Sequence, residues 1–260
     1  QKTQTTSIRN GGVPLVKKIF KYLHFVWKIM VERGLDGFFE VFLRKKSAFF
    51  DKKALQSSYI PETIPHREEQ IKQIANILAP SLKGDKTSNI LLYGKTGTGK
   101  TLTIKYTTKK LMEVAERENI PLKILYINCK LKRGADTEYR IIAQLSRELG
   151  KAVPPTGLPT EEVYKTFFRA INKQKQNYII ILDEMDQLVS KSGDNALYNL
   201  TRINEETESQ ISIVGISNDI TFIDNLDPRV RSSLSEEEIV FPPYNALQIQ
   251  SILRQRAEIS

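Results

Sequence analysis

Residues Asn89 to Thr101 read NILLYGKTGTGKT, an apolar run that passes into a glycine-rich turn and closes on Gly-Lys-Thr. The pattern G-x-x-x-x-G-K-[ST] is met at Gly94, Gly99, Lys100 and Thr101, with Gly97 as an additional glycine inside the loop. Ile90 to Tyr93 predicts the strand that must precede such a loop, and Leu102 to Val114 the helix that must follow it. Glycines let the backbone N–H groups of Gly94, Lys95, Thr96, Gly97, Thr98 and Gly99 converge on a polyphosphate without a Cβ in the way, and the helix opening at Leu102 presents its positive end to the same anion. Lys100 is then expected to reach the β- and γ-phosphates of ATP or ADP, and the Thr101 hydroxyl to ligate Mg²⁺.

Tyr178-Ile179-Ile180-Ile181-Leu182-Asp183-Glu184 reads as a buried strand that delivers two carboxylates at its end. In the company of a phosphate loop, Asp183 is expected in the Mg²⁺ shell and Glu184 beside the attacking water. Ile211 to Ile216 predicts a further strand, ending in Ser217-Asn218-Asp219, which puts an amide where ligands collect in open α/β sheets. Asn218 either reports the γ-phosphate or caps the next turn. Arg229 and Arg231 follow the Pro228 turn and are candidates for a finger acting on a neighbouring subunit's nucleotide.

The chain has 260 residues, 40% apolar and 27% charged, an ordinary composition for one good core with appendages. Its net charge of +9 is unevenly spread: residues 1–46 hold ten Lys/Arg against three Asp/Glu, and residues 47–260 hold 29 against 27. Bulk charge is therefore no argument that the loop-bearing part grips nucleic acid, and any such contact must come from local patches. The single cysteine, Cys129, excludes an internal disulfide and a cysteine-based zinc site, which favours a cytoplasmic address. With only His24 and His66 to activate it, Cys129 is expected to be a half-buried structural thiol.

Residues 1–12 are polar, with nothing to bury. From Val13 to Met30, apolar residues at helical spacing carry Lys17, Lys18, Lys21 and Lys28 between them. That pattern fits a helix docked on protein or one lying on an anionic membrane surface, and its charges exclude a spanning helix. Gly34 to Pro65 holds an apolar cluster and then Pro61 and Pro65, which predict an extended arm rather than a helix. Tyr59, Ile60, His66 and Arg67 on and beside this arm are candidates to wrap the base of a nucleotide; a plain packing arm is the alternative. A helix opens at His66-Arg67-Glu68 with Ile71, Ile74, Ile77 and Leu78 on one side. Downstream, strands at Lys123–Asn128, Tyr178–Leu182, Ile211–Ile216 and Glu238–Phe241 alternate with helices at Thr137–Leu149, Thr160–Asn172, Asn195–Glu208 and Asn245–Ala257. Alternation of this kind predicts an α/β fold with a five-stranded parallel sheet flanked by helices. Thr160 before Glu161-Glu162, and Asn245 with Gln248, read as helix caps.

The order of these motifs resembles an AAA+ ATPase, a P-loop NTPase. The wording YIPETIPHREEQI, LYGKTGTGKT, ILDEMD, LYNLTRIN, GISND and LDPRVRSSLSEEEIVFPPYNA is similar to the archaeal replication initiators of the origin-recognition-complex and cell-division-control (Orc/Cdc) family, from about Gly34 onward. The resemblance implies an AAA+ base over 67–245, preceded by a basic extension at 1–33 and an arm at 34–66. It implies that 246–260 opens a lid domain, with the rest of the lid and a winged helix absent from this sequence. It also implies an initiator-specific helical hairpin at 136–158, where Thr137, Tyr139, Arg140, Thr156, Gly157 and Leu158 would contact DNA. The position where relatives carry a Ser-Arg finger falls at Ser233, so Arg229 and Arg231 both remain candidates for it. Residues 1–29 match nothing in the family.

The implied activity is a slow, Mg²⁺-dependent ATPase that binds double-stranded origin DNA and switches helicase loading. A replicative helicase and other initiator subunits are the expected partners, and a nucleoid-associated, cytoplasmic address follows. Peripheral membrane contact through 13–30 is the outlying possibility. A nucleotide-switched signalling ATPase and a scaffold that holds ATP or ADP without hydrolysing it are the alternatives.

Overall fold

The computed structural model describes residues 59–130, 137–205, 207–219 and 221–259, together with 35–36, 39–40, 42–43 and 56. The chain divides into two compact units, Gln1–Leu55 with Ile259–Ser260, and Gln56–Glu258. In the first unit the described residues 35–36, 39–40 and 42–43 are helical and exposed, so the expectation of an extended arm fails there. Pro61 and Pro65 lie far downstream and constrain only their own neighbours, not residues 35–43. The basic amphipathic segment 13–30 lies outside the described residues.

The second unit opens with α1 (Glu68–Leu78) and a 3-10 turn (Ala79–Lys83), then β1 (Ile90–Tyr93), α2 (Lys100–Arg117) and β2 (Leu122–Asn128). Helices α3 (Glu138–Glu148) and α4 (Thr160–Ile171) precede β3 (Asn177–Asp183), which is followed by α5 (Met185–Ser192), α6 (Asn195–Arg202) and β4 (Gln210–Ser217). The chain then forms α7 (Pro228–Leu234), β5 (Glu237–Val240) and α8 (Ala246–Ile259). The five strands lie in the order β2-β3-β4-β1-β5, and every pairing is parallel.

Strand β3 is buried at all seven positions, as a central parallel strand covered on both faces must be. Alternate residues feed opposite cores. Ile179 and Ile181 join α1 and α2 through Ile74, Leu78, Ile104 and Leu111, whereas Ile180 and Leu182 join α3 to α7 through Ile141, Phe167, Leu188, Leu197 and Val230. Each such fully buried aliphatic chain contributes about 1.5–3 kcal/mol relative to an exposed one. Gly215 in β4 serves this packing, because a Cβ there would collide with the Met185 sulfur and press on Leu91.

Several boundaries differ from the sequence expectation. Thr160 is the first residue of α4, not its cap, and Pro159 stands before it without a side-chain cap bond. The Asn245/Gln248 pair does form, each side chain accepting from the other's backbone N–H at 2.9 Å. Helix α6 stops at Arg202 and runs into a short 3-10 turn, Ile203–Glu205, instead of reaching Glu208. Asn204 turns its side chain onto Ile211 of β4, with two 2.7 Å bonds that tie the turn to the strand. Helix α5, which the sequence reading left out, follows β3 directly, and the Pro228 turn continues as α7 under the Asp227 cap. Among the described residues of 136–158 there is one helix, α3; the helix that packs against it is α4, beyond that range. Cys129 is fully buried rather than half-buried, and burial pushes its thiol up to about 12.

Candidate nucleotide and metal site

The carboxyl ends of β1, β3 and β4 converge on the loop between β1 and α2, because β4 pairs with both of the others. Gly99 caps α2 with φ 89, a left-handed conformation that costs glycine little, and a Cβ there would stand 2.8 Å from the Tyr244 hydroxyl. A Cβ on Gly94 would run into the backbone carbonyl of Phe241. No side chain caps the first turn of α2. Its leading N–H groups are therefore without a side-chain acceptor, the condition that suits them to a phosphate.

Lys100 is 5% exposed and spends all three ammonium protons inside the protein. They go to Gly94 O at 2.7 Å, Lys95 O at 3.0 Å and Asn218 Oδ1 at 2.9 Å. Burial holds its pKa below the ordinary 10.5, opposed by the nearby Asp183, Asp186 and Glu184. Lys100 and Asn218, expected at one phosphate, are thus brought into direct contact. Thr101 donates to Asp183 Oδ2 at 2.9 Å, so the two expected metal ligands also meet. Asp183 itself is 3% exposed.

Glu184 sits at the junction of β3 and α5 with φ 55, a left-handed conformation that few non-glycine residues adopt. Its carboxylate pairs with Lys130 Nζ at 3.1 Å. Three further residues complete the site without having been singled out in the sequence. Tyr126 of β2 donates to Asp183 Oδ2 at 2.6 Å, and burial together with that bond raises its pKa, so it stays protonated. Lys105 Nζ lies 4.1 Å from the centre of the Tyr126 ring. Asp186, in the first turn of α5, accepts from the Ser217 hydroxyl at 3.3 Å and from the Asn218 N–H at 3.4 Å, which ties α5 to the end of β4. The only sequence signal for Asp186 was its place three residues after Asp183; for Tyr126 there was none.

Arg67 is 3% exposed and braces the loop from the other side. Its guanidinium donates to Thr98 O at 2.9 Å, His66 O at 3.3 Å and Pro242 O at 2.6 Å, and lies 3.9 Å from the Tyr244 ring centre. His66 has φ 63, and its Nε2 is buried without a hydrogen-bond partner. Beside the loop opens a cavity of about 460 Å³, walled by Lys95, Thr96, Gly97 and Thr98 on one side and by Tyr244, Ile249 and Leu253 on the other. Tyr59 and Ile60 are half-buried, and Tyr59 makes its backbone bond to Gln56 rather than to the loop. Leu102 follows Thr101 within the first turn of α2. A larger cavity of about 590 Å³ lies at the amino ends of β3 and β4, near Lys83, Asn177 and Gln210. The glycine loop and the carboxylates are at the other end, so chemistry and size point to different places, and ligands of open α/β sheets collect at the carboxyl ends.

The two candidate fingers stand apart from this cluster. Arg229 pairs with its own cap, Asp227, at 3.0 Å and lies 5.1 Å from the Tyr198 ring centre; Arg231 pairs with Asp224 at 3.2 Å. Both are exposed, on α7. In the α3 region Thr137 precedes the helix and is exposed, Tyr139 donates to Pro154 O at 3.0 Å, and Arg140 is half-buried. Thr156, Gly157 and Leu158 are exposed on the turn that leads to α4.

These residues fit a nucleotide with Mg²⁺. The loop offers uncapped amides and a lysine, and Asp183 with Thr101 supplies one carboxylate and one hydroxyl. Among the described residues no group of three or more His, Cys, Asp or Glu could hold a metal. Mg²⁺ does not need one, since it keeps several waters and binds through one or two carboxylates plus substrate phosphates. Among the described residues no helix is long and apolar enough to cross a membrane.

The AAA-domain family matches residues 84–221. An ORC1-type DNA replication protein of Thermococcus onnurineus is 49% identical over 234 residues, covering 88% of this chain and 56% of that protein. The structure of the Aeropyrum pernix ORC1 protein in complex with DNA is 42% identical, with a TM-score of 0.74 over 79% of this chain and 52% of that one. The Aeropyrum pernix ORC2 protein, in its ADPNP-ADP complexes, is 26% identical with a TM-score of 0.69, over 81% of this chain and 56% of that one. The chain spans about half the length of the relatives it matches. Loop, carboxylate strand, asparagine strand and these relatives agree, and the chain belongs to the AAA+ family and, within it, to the archaeal Orc/Cdc replication proteins.

Proposed function

We propose that this chain binds ATP with Mg²⁺, hydrolyses it slowly, and uses the nucleotide state to control a DNA-bound replication initiator. The observation that carries the reading is the contact of Lys100 with Asn218, set beside that of Thr101 with Asp183, at the mouth of an uncapped helix. Lys100 exchanges its carbonyl partners for the β- and γ-phosphates, and Asn218, held by Asp186, stays to bond the γ-phosphate. Asp183 and Thr101 take the metal. Mg²⁺ supplies charge neutralisation and a fixed geometry for the phosphate oxygens. Glu184 orients the attacking water once Lys130 releases it. The base fits the cavity by the loop, between Lys95 to Thr98 on one side and Tyr244 with the apolar side chains of α8 on the other.

The DNA contact is assigned to the α3 region and the turn after it, through Thr137, Tyr139, Arg140, Thr156, Gly157 and Leu158. Support comes from the relative whose structure is a complex with DNA. Residues 67–245 form the ATPase base, 34–66 an arm and 246–260 the opening of a lid. Origin DNA, other initiator subunits and a replicative helicase are the partners this assigns, in a nucleoid setting. Arg229 or Arg231, exposed on α7, acts on a neighbour's nucleotide.

The deciding experiment pairs Glu184→Gln with Lys100→Ala. The first is expected to keep ATP bound while cutting hydrolysis about a hundredfold or more, and the second to lose binding. Unchanged hydrolysis in Glu184→Gln removes the assignment. For DNA, Arg140→Glu is expected to weaken duplex binding in a salt-dependent way; equal binding by parent and variant removes the α3 assignment.

A further inference from the structure

The acceptor that matters most for a metal here is one oxygen, Asp183 Oδ2, and it receives two hydroxyl protons. One comes from Thr101 at 2.9 Å, the other from Tyr126 at 2.6 Å. Thr101 belongs to the loop and is already expected at the metal. Tyr126 does not: it comes from the edge strand β2, and reaches Asp183 because Asn128 pairs with Asp183 in register, two residues beyond Tyr126. Its hydroxyl makes the shortest of the bonds that hold this carboxylate. The ring is itself held, since Lys105, one helical turn after Thr101 on α2, sets its ammonium 4.1 Å from the ring centre. Thr101, Lys105, Tyr126 and Asp183 thus close a circuit between α2, β2 and β3.

We propose that Tyr126 is a positioning residue for Mg²⁺, its hydroxyl fixing the rotamer of the Asp183 carboxylate so that the metal meets a preset ligand. This rests on the reading of Asp183 and Thr101 as metal ligands. A carboxylate carried on a strand end has a broad terminal torsion, and without a second donor it rotates toward any other partner. Partners that orient a ligand in this manner change metal affinity by about 10- to 100-fold when removed. Tyr126 lies on β2, off the phosphate loop, and does not line the cavity beside that loop, so the effect is expected on the metal and not on the base. Lys105, with its ammonium over the ring face, holds the ring in place and makes its hydroxyl a stronger donor, so its loss is expected to act in the same direction and more weakly.

The test measures binding of a fluorescent N-methylanthraniloyl-labelled ADP to the parent and to Tyr126→Phe, first in EDTA and then along a Mg²⁺ titration. In EDTA the two proteins are expected to bind ADP alike. The Mg²⁺ concentration that gives half of the metal-dependent gain in affinity is expected to rise about tenfold or more in Tyr126→Phe. Tyr126→Gln, which keeps a donor, is expected to recover part of that shift. An unchanged Mg²⁺ midpoint in Tyr126→Phe overturns the proposal. So does an equal loss of affinity with and without metal, which marks Tyr126 as merely structural. If the parent itself shows no response to Mg²⁺, the reading of Asp183 and Thr101 falls, and the role of Tyr126 falls with it.

Discussion

Replacing Arg67 by methionine is expected to unseat the phosphate loop without touching a phosphate. The methionine keeps an unbranched apolar stem over Tyr244 but has no donors, so Thr98 O, His66 O and Pro242 O lose the guanidinium that now joins them. A hydrogen bond to a charged donor contributes about 1.5–3 kcal/mol, and a desolvated cation over an aromatic ring about 2 kcal/mol. These terms share one side chain and are not additive, so a loss of about 3–5 kcal/mol is the reasonable sum. For a domain of this size each kcal/mol moves the melting temperature by about 2–4 °C, which gives a fall of about 6–20 °C.

Differential scanning calorimetry on the nucleotide-free protein reads this directly. Because Thr98 belongs to the loop and Pro242 to the segment leaving β5, the variant is also expected to bind labelled ADP more weakly, with and without Mg²⁺. Arg67→Lys is expected to fall between, since an ammonium is a point donor and does not span three carbonyls. A melting temperature within about 2 °C of the parent for Arg67→Met refutes the bracing role, because that corresponds to less than about 1 kcal/mol.

Other substitutions probe separate contacts. Lys130→Ala frees Glu184 from a partly exposed ion pair that contributes about 0.2–1 kcal/mol, so basal hydrolysis is expected to rise by no more than about fivefold; a fall in a steady-state phosphate-release assay counts against the pair as a restraint. Gly215→Ala drives a methyl group into Met185 and Leu91, and is expected to cost about 1–3 kcal/mol in urea unfolding while leaving the loop intact. Since burial holds Lys100 below its ordinary 10.5, its ammonium is lost earlier in the folded protein than in the unfolded chain. The nucleotide-free fold therefore gains stability as pH rises between that lowered pKa and 10.5, while ADP affinity falls over the same window; a flat affinity up to pH 10.5 contradicts it. Cys129, fully buried and pushed up to about 12, is expected to resist thiol reagents in the native protein and to react fully on unfolding.

What the sequence revealed divides by range. The phosphate loop is legible because its glycines, lysine and threonine act on a ligand within a single turn, so their spacing is the site. The strands ending at Asp183 and Ser217 are legible because a buried parallel strand is a continuous apolar run. Tyr126, Asp186, Lys130 and the three-way grip of Arg67 were not legible. Each depends on the order β2-β3-β4-β1-β5, which sets Tyr126 beside Asp183 and the end of β5 beside Thr98 across long stretches of chain. Helix α5 was missed for a local reason: it begins at once after the Asp-Glu pair through a left-handed Glu184, with no cap residue to announce it.

Lys100, Asp183 and Glu184 each already have partners inside the protein. Lys100 bonds two loop carbonyls and Asn218, Asp183 holds two hydroxyls, and Glu184 holds Lys130. Under the proposed function, nucleotide binding is therefore an exchange of partners and not a simple gain. The exchanges differ in what drives them. The loop carbonyls are neutral, so a phosphate outbids them for the Lys100 ammonium through its charge alone. The contact between Lys100 and Asn218, at 2.9 Å, is different, because it joins the loop to the end of β4. A diphosphate satisfied by the loop amides has no oxygen that must part these two residues, whereas a third phosphate beyond Lys100 does. Asn218 is held at its backbone by Asp186, whose helix begins at Met185, directly after Glu184. Under that proposal the separation of Lys100 from Asn218 is the step at which ATP and ADP become different to the fold, and α5, which carries Asp186, is the element joined to it.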